Sequence, residues 1–421
     1  MQDYTISLLR AYPKLNIFLK IHQKSGNLHP LTSRFFLALG DLYDEMAFVC
    51  FDDTQSYIHN ILSSNSNIDE INKISQNKHK KFYLVGQFNC ALESNLIYKA
   101  YVALQSYAKK EGKNTQSKQQ SLVIIVNKKI PVGSGLGGGS ANAAITLLVL
   151  NQICGFFYNS SILLQLAKEL GSDVPFFLIV YSQGYDNISP FFQQQISINE
   201  YEYRKKIQNL VEEYNINSFF RQFHSADCLQ LKNETKDNKN KLAFLSANVS
   251  GTGEIIEPFY EDIVHFRIHC NNIACDTREV YREFDKLQTN TQKSIGYRTC
   301  IDSREEEKMQ SSRNEQYITK EINRLESKNV DSHTPISSQN IMTSNYDTIK
   351  EICLSLDSQD ILEKYSIEEL NDLYLPACNL YHGLQHIQTT LAKQYNKVFF
   401  SGSGSSFFSI LSCARTNNES K

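Results

Sequence analysis

The chain has 421 residues, with 43 Lys and Arg against 45 Asp and Glu, for a formal net charge of −2. That balance leaves no basic footprint for nucleic acid, and no run approaches the ~18 apolar residues of a membrane span. Ten cysteines without CxxC pairs read as reduced thiols, and the N-terminus lacks the form of a signal peptide, so a cytoplasmic protein of two or three domains is expected.

In chain order, residues 5–22 read as strands. From Lys14 the alternation places Leu15, Ile17, Leu19 and Ile21 on one face and Lys14, Asn16, Phe18 and Lys20 on the other. Lys14 and Asn16 therefore project side by side, either from a solvated face or into a site. Pro13 just before them favours an edge or a strand start, because proline cannot donate to the ladder. Gly26 to His29 is a turn-rich loop whose histidine precedes Pro30; taken alone it reads as an ordinary surface residue. Phe35 to Phe51 reads as further strand with acidic breaks, and residues 52–80 as a polar excursion. A helix is predicted from Asn95, with Ile97, Ala100, Tyr101 and Leu104 at helical spacing.

The densest signal follows. Leu122 to Val126 is a β-branched, continuous apolar run, the pattern of a buried strand. Five glycines then fall between Gly133 and Gly139, and Ala141 to Leu150 is helix-forming, so Ser140 or a neighbour is expected to open a helix. Strand, glycine loop and helix N-terminus make an anion site, because unpaired helical amides and side-chain-free backbone can meet a phosphate. A P-loop is excluded, since no Gly-Lys-Ser/Thr follows. Gly133, Gly135 and Gly138 satisfy the dinucleotide spacing, but the acid expected about 20 residues later is missing. A flexible linker and a dinucleotide fold are the competing readings at this point.

Residues 162–170 form an amphipathic helix, with Gly171 where a left-handed C-terminal residue belongs. Asp173 follows within Gly-Ser-Asp-Val-Pro-Phe-Phe. It is either a helix cap or a partly buried carboxylate that needs a cation such as Lys14. Residues 181–244 are Gln-, Asn- and Lys-rich and carry no motif. Ordered structure is expected again from Ser246, with a glycine turn and a strand, another strand at Phe266 to Cys270, and a helix capped by Asp276 or Thr277. Residues 287–345 read as a disordered insert or an inserted helical hairpin. Asn371 to Cys378 leads into a helix, and Val398 to Phe400 is a strand. Ser401 to Ser406, built only of glycine and serine, turns that strand back and permits close approach to a ligand or another backbone.

Three separated blocks, Pro13 to Leu19, Ile130 to Ala144 and Ser401 to Phe408, stand in one order. Together they resemble the small-molecule kinase superfamily of galactokinase, homoserine kinase, mevalonate kinase and phosphomevalonate kinase. Three further matches, Gly26 to His29, Gly171 to Phe177 and Asn371 to Ala377, are similar to the branch that acts on 4-diphosphocytidyl-2-C-methyl-D-erythritol. The resemblance implies an α+β, two-domain fold: a ribosomal-protein-S5-like N-terminal domain over 1–180 and a ferredoxin-like (split βαβ) C-terminal domain over 245–415. The polar inserts would lie at 181–244 and 287–345. It implies transfer of the ATP γ-phosphate to the substrate 2-hydroxyl, in the non-mevalonate route to isoprenoids. Homoserine or mevalonate chemistry, or a non-catalytic sensor, are the alternatives.

Carried residue by residue, the resemblance makes Lys14 and Asp173 catalytic. It gives Asn95 to the adenine, and Pro131 with Gly133, Ser134, Gly135, Leu136, Gly137, Gly138, Gly139 and Ser140 to ATP. Mg²⁺ would be held on the nucleotide, with no metal bound by protein residues alone. Asn16, Leu28, His29, Thr277 and Tyr281 would meet the cytidine diphosphate-linked methylerythritol, and Gly402, Ser403 and Gly404 would form a supporting turn. Leu28 stands where the family has a tyrosine, which would remove about 1 kcal/mol of stacking. The partner implied is a small molecule, not nucleic acid or membrane, and the state a monomer or homodimer.

Overall fold

The computed structural model describes residues 3–52 apart from 25 and 27, then 74–77, 82–112, 120–183 and 193–199. Short pieces between 201 and 209, and residues 216–221, 244–298 and 350–411, complete it. Among these residues the fold is α+β, with three sheets and ten α-helices introduced below.

The largest sheet has six strands. These are β1 (Asp3–Ala11), β4 (Asp44–Asp52), β5 (Ile74–Asn77), β6 (Phe82–Val85), β7 (Gln120–Asn127) and β8 (Gln193–Asn199), in the order β5-β6-β7-β4-β1-β8. All neighbours are antiparallel except β6 and β7, whose parallel pairing requires the crossover helix α1 (Leu96–Lys110) between them. Helices α2 (Gly138–Ile153), α3 (Ser160–Leu170) and α4 (Val174–Ser182) join α1. Helix α2 is apolar nearly all round and buried from Ala141 to Asn151, as expected of a helix held between a sheet and other helices. Its first turn is thereby fixed in the middle of the domain.

The second sheet is β10-β9-β3-β2, built from β2 (Lys14–Ile21), β3 (Leu31–Leu37), β9 (Ser246–Gly251) and β10 (Ile255–Phe259). The third is β11-β13-β12, from β11 (Phe266–His269), β12 (Phe399–Phe400) and β13 (Phe407–Ile410). Around it stand α6 (Thr277–Arg298), α7 (Ser358–Lys364), α8 (Ile367–Leu370), α9 (Tyr374–Leu380) and α10 (Gly383–Ala392). Strand β2 is the seam. Its Leu15, Ile17 and Phe18 enter the larger core, while Leu19 and Ile21 enter a second core with Val280, Phe284, Leu373 and Phe400.

Several expectations are corrected here. The alternation along β2 breaks at a bulge between Asn16 and Phe18, and all eight residues are buried, because an extra residue shifts the pleat and protein covers both faces. Gly171 has φ 163°, extended backbone rather than left-handed. The segment 181–244 is not all decoration: β8 pairs with β1 from Asn199 to Gln193, and α5 (Ile216–Arg221) buries Phe219 and Phe220. The domain start read at 245 cuts a sheet, since β9 pairs with β3 along Gly251 to Ser246. Helix α6 runs on to Arg298, past the insert start read at 287; residues 299–349 lie outside those described. The third sheet has three strands among the described residues. The polar excursion at 52–80 also falls largely outside them.

Candidate active site

The glycine loop leaves β7 at Asn127 and reaches α2 at Gly138, two residues before Ser140. Gly133, Gly135 and Gly137 all have positive φ, at 69°, 74° and 70°, a region that costs an L side chain roughly 1–2 kcal/mol. A Cβ on Gly135 would lie 2.2 Å from the Ser401 carbonyl oxygen, and one on Gly137 would lie 2.9 Å from Phe177 and 3.1 Å from Lys14 Cγ. Gly137 caps α2 with no side-chain hydrogen bond, so the first-turn amides keep their donors and the positive end of the helix for an anion.

A fully buried carboxylate braces this loop. Asp44 Oδ1 accepts from the amides of Lys129 (2.7 Å) and Ile130 (2.8 Å), and Oδ2 accepts from Lys128 Nζ (2.6 Å) and Asn142 Nδ2 (3.0 Å). Lys128 Nζ in turn donates to the Ile130 carbonyl at 2.7 Å. Strand end, loop and helix start thus converge on one side chain. Sequence reasoning missed Asp44, Lys128 and Asn142; Asp44 reads as an acidic break in a strand, and its partners lie more than 80 positions away.

Lys14 enters from the other sheet. Its amide donates to the Leu136 carbonyl at 2.9 Å, and its Nζ donates to Asn16 Oδ1 at 2.5 Å. The ammonium is 4.3 Å from the Phe35 ring centroid and 3.6 Å from Asp173 Oδ2. Burial pushes the Lys14 ammonium below the ordinary lysine value, and the Asp173 carboxylate opposes that shift. Asp173 occupies the N-cap position of α4 but makes no capping hydrogen bond. Its carboxylate faces the cavity beside Lys14 instead, as the second of the two sequence readings requires.

The glycine-serine turn backs the loop from the C-terminal side. The Cys275 amide donates to the Gly133 carbonyl and the Ser406 amide to that of Ser134, both at 3.1 Å. Ser401 Oγ lies 3.4 Å from the Gly135 carbonyl and accepts from the Asn16 amide at 3.3 Å. Asn371 Nδ2 fixes the turn by donating to the carbonyls of Phe400 (2.9 Å) and Gly402 (3.0 Å). Its neighbour Asp372 pairs with Lys20 at 2.8 Å and accepts from the Ile21 amide. Asn371 and Asp372 are therefore a clamp between β2 and the third sheet, a role the sequence did not assign.

At the far end, Asp276 Oδ1 caps α6 by accepting from the amides of Arg278 and Glu279. That leaves the Thr277 hydroxyl free to meet Ser403 Oγ at 2.9 Å. Tyr281, whose hydroxyl is held protonated well above the ordinary tyrosine range by burial and then by Asp173 and Asp372, stands one turn further on. Its ring lies 5.7 Å from that of His29.

One cavity of about 1060 Å³ collects these groups. Lys14, Asn16, Leu28, His29, Asn95, Asp173, Thr277, Tyr281, Gly402, Ser403 and the loop residues Pro131 and Gly133 to Ser140 all line it. Gly404 does not; a Cβ there would sit 2.2 Å from the Phe400 ring, so it packs behind the turn. Asn95 lines the cavity with its oxygen already committed, accepting from the Ile97 amide at 2.9 Å as the cap of α1. Leu28 is exposed at the rim. Among the described residues no group of three or more His, Cys, Asp or Glu could hold a metal ion. None of their helices is long and apolar enough to cross a membrane.

With this geometry in view, residues 95–180 match the family model described as the GHMP kinases N terminal domain. Those residues carry a GHMP kinases N-terminal domain. Over 96% of its length it is 25% identical to a protein from Sulfurimonas denitrificans named 4-diphosphocytidyl-2-C-methyl-D-erythritol kinase, of which 97% is covered. Relatives of the same name from Campylobacter jejuni (27% identity, 96% of this chain, 99% of the relative) and Helicobacter acinonychis (26%, 95% and 95%) align as fully. A crystal structure titled 4-(cytidine 5'-diphospho)-2C-methyl-D-erythritol kinase is similar at 19% identity and a TM-score of 0.45, over 96% of this chain and 89% of that one. A homoserine kinase from Cytophaga hutchinsonii has 12% identity and a TM-score of 0.40, over 97% and 86%.

Proposed function

We propose that this protein transfers the γ-phosphoryl group of ATP to the 2-hydroxyl of 4-diphosphocytidyl-2-C-methyl-D-erythritol. The observation that carries the reading is one cavity in which a buried Lys14 and a partly exposed Asp173 stand as a pair between the glycine loop and the His29–Tyr281 corner. The near full-length relatives bearing that name support the choice of acceptor. In this reading the open amides at the start of α2 receive the β- and γ-phosphates. Mg²⁺ would ride on those phosphates and offset their charge. Asp173 orients the acceptor hydroxyl and takes its proton as the new O–P bond forms and the bond to ADP breaks. Lys14 pairs with Asp173 and faces the moving phosphoryl group. Such transfer asks mainly for positioning and electrostatics, so no further catalytic group is required. Asn16, Thr277 and Tyr281 are assigned to the acceptor, and Asn95 to the adenine end.

A coupled assay of ADP release tests the reading, comparing the cytidyl-methylerythritol substrate with homoserine and mevalonate. The cytidyl substrate is expected to give kcat/KM at least a hundredfold above the other two. Comparable or greater turnover of homoserine or mevalonate would replace it.

A further inference from the structure

Lys14 and Asn16 meet on β2, and a hydroxyl on the neighbouring strand decides how they meet. The Lys14 ammonium has three N–H donors and no acceptor, so the Asn16 atom facing it at 2.5 Å is the oxygen. The nitrogen of that amide therefore points the other way, and it donates to Ser33 Oγ on β3 at 2.9 Å. Ser33 has one hydroxyl proton, and gives it to the Phe18 carbonyl at 2.5 Å. Ser33 Oγ must then meet the Asn16 amide with a lone pair. One proton on Ser33 thus sets every donor and acceptor as far as Lys14.

The surroundings leave this relay little slack. Lys14, Asn16 and Ser33 are all buried, Ser33 completely, and Ser33 stays out of the cavity that Lys14 and Asn16 line. The bulge of β2 falls between Asn16 and Phe18, so the two groups that Ser33 touches lie on either side of it. A Cβ on Gly402 would lie 3.3 Å from Asn16 Oδ1, so the glycine-serine turn closes that flank. Around the ammonium stand the Phe35 ring at 4.3 Å and the Asp173 carboxylate at 3.6 Å. Asn16 Oδ1 is nearer than either. An Asn16 amide turned end for end would set its NH₂ against the ammonium, donor against donor, in an interior where an unpaired polar group is costly.

We propose that Ser33 is a positioning residue for phosphoryl transfer: through the Asn16 side chain it fixes where the Lys14 ammonium stands beside Asp173. The inference rests on the transfer role proposed above for Lys14 and Asp173, and not on which alcohol is the acceptor. Asn16 keeps one N–H and one lone pair for the acceptor assigned to it.

The test is single-turnover transfer from γ-labelled ATP, at saturating ATP and acceptor. It compares the full chain with Ser33→Ala, Ser33→Thr, Asn16→Ala and the double variant Ser33→Ala with Asn16→Ala. The melting temperature and the ATP dissociation constant are the controls of fold. Ser33→Ala is expected to slow transfer at least fivefold with ATP binding within threefold of wild type. Ser33→Thr keeps the hydroxyl and should stay within threefold of the wild-type rate. In the Asn16→Ala background, Ser33→Ala should cost less than a further twofold, because the group it acts through is gone. A folded Ser33→Ala that loses less than fivefold overturns the proposal. So does a folded Ser33→Thr as slow as Ser33→Ala, or a loss of twofold or more that persists without Asn16. If the added methyl of Ser33→Thr prevents folding, the cycle of alanine variants decides alone. A wild type that phosphorylates homoserine or mevalonate in place of the cytidyl acceptor removes the acceptor reading, and the same cycle run with that alcohol still decides the role of Ser33. A wild type that transfers phosphate to none of the three removes both.

Discussion

Asp44 gives the sharpest structural prediction. Its carboxylate is fully buried and accepts four hydrogen bonds, from the Lys129 and Ile130 amides, Lys128 Nζ and Asn142 Nδ2. In Asp44→Ala each buried neutral donor left without an acceptor costs about 1–3 kcal/mol. Breaking a buried ion pair adds about 3–5 kcal/mol, reduced here because the Lys128 side chain is 14% exposed. Even the low ends approach the stability of a whole domain, about 5–15 kcal/mol, so Asp44→Ala is expected to yield little folded protein. Asp44→Asn keeps one acceptor for the two amides and loses the ion pair. A loss of about 2–3 kcal/mol follows, which for a chain of this size lowers the melting temperature by roughly 2–3 °C. Because the same residue sets the path into Gly133 to Gly139, the KM for ATP should rise several-fold as well. Thermal melting by circular dichroism and steady-state kinetics measure both. An Asp44→Ala variant that melts within 2 °C of wild type would show that the carboxylate does not hold the loop.

Two further predictions concern the loop and the lysine. Gly137→Ala places a Cβ against Phe177 and Lys14 Cγ at positive φ, whereas Gly139 has its nearest neighbour, Leu96, at 3.6 Å. The first substitution should lower kcat at least tenfold and the second should leave the melting temperature within about 2 °C; equal effects on both would contradict the packing argument. Lys14, lowered by burial, loses its proton in the folded state below the ordinary lysine value of 10.5. The ammonium is the working form, so kcat should fall as pH rises through that lowered value, and Lys14→Arg should remove the limb from the accessible range. In the same window the unfolded chain binds more protons at this position than the folded one, so the Lys14 contribution to stability rises with pH. A kcat profile flat to pH 10.5 would refute the buried-ammonium role.

What the residues disclosed and what they hid divides along physical lines. The Gly133 to Gly139 loop and its flanking strand and helix were legible because local backbone needs fix both: positive φ demands glycine, and a buried strand demands β-branched residues. Lys14 and Asp173 could be offered as a pair in advance because a partly buried carboxylate needs a cation. Long-range satisfaction was not legible. Nothing local links Asp44 to Lys128, Asn371 to Gly402, or Ser246 to Phe36. The edge strand β8 was read as polar filler because Gln193 to Asn199 holds only Ile196 and Ile198 as large apolar residues, enough for an edge but too few for a periodic signal. The alternation of β2 misled because a bulge after Asn16 cannot be seen in a strand whose two faces are both covered. His29 was assigned to the acceptor by resemblance alone, and its 2.8 Å contact with Asp285 joins residues too distant in sequence to be linked locally.

The central claim is that Asp173, held by Lys14 at the glycine loop, carries the transfer step. Single-turnover phosphorylation of 4-diphosphocytidyl-2-C-methyl-D-erythritol with γ-labelled ATP, by wild type and Asp173→Asn, tests it most directly. The expected result is a rate at least ~10² lower in the variant, with dissociation constants for ATP and acceptor within threefold of wild type. A variant that transfers phosphate within tenfold of wild type, about 1.4 kcal/mol of barrier, would contradict it.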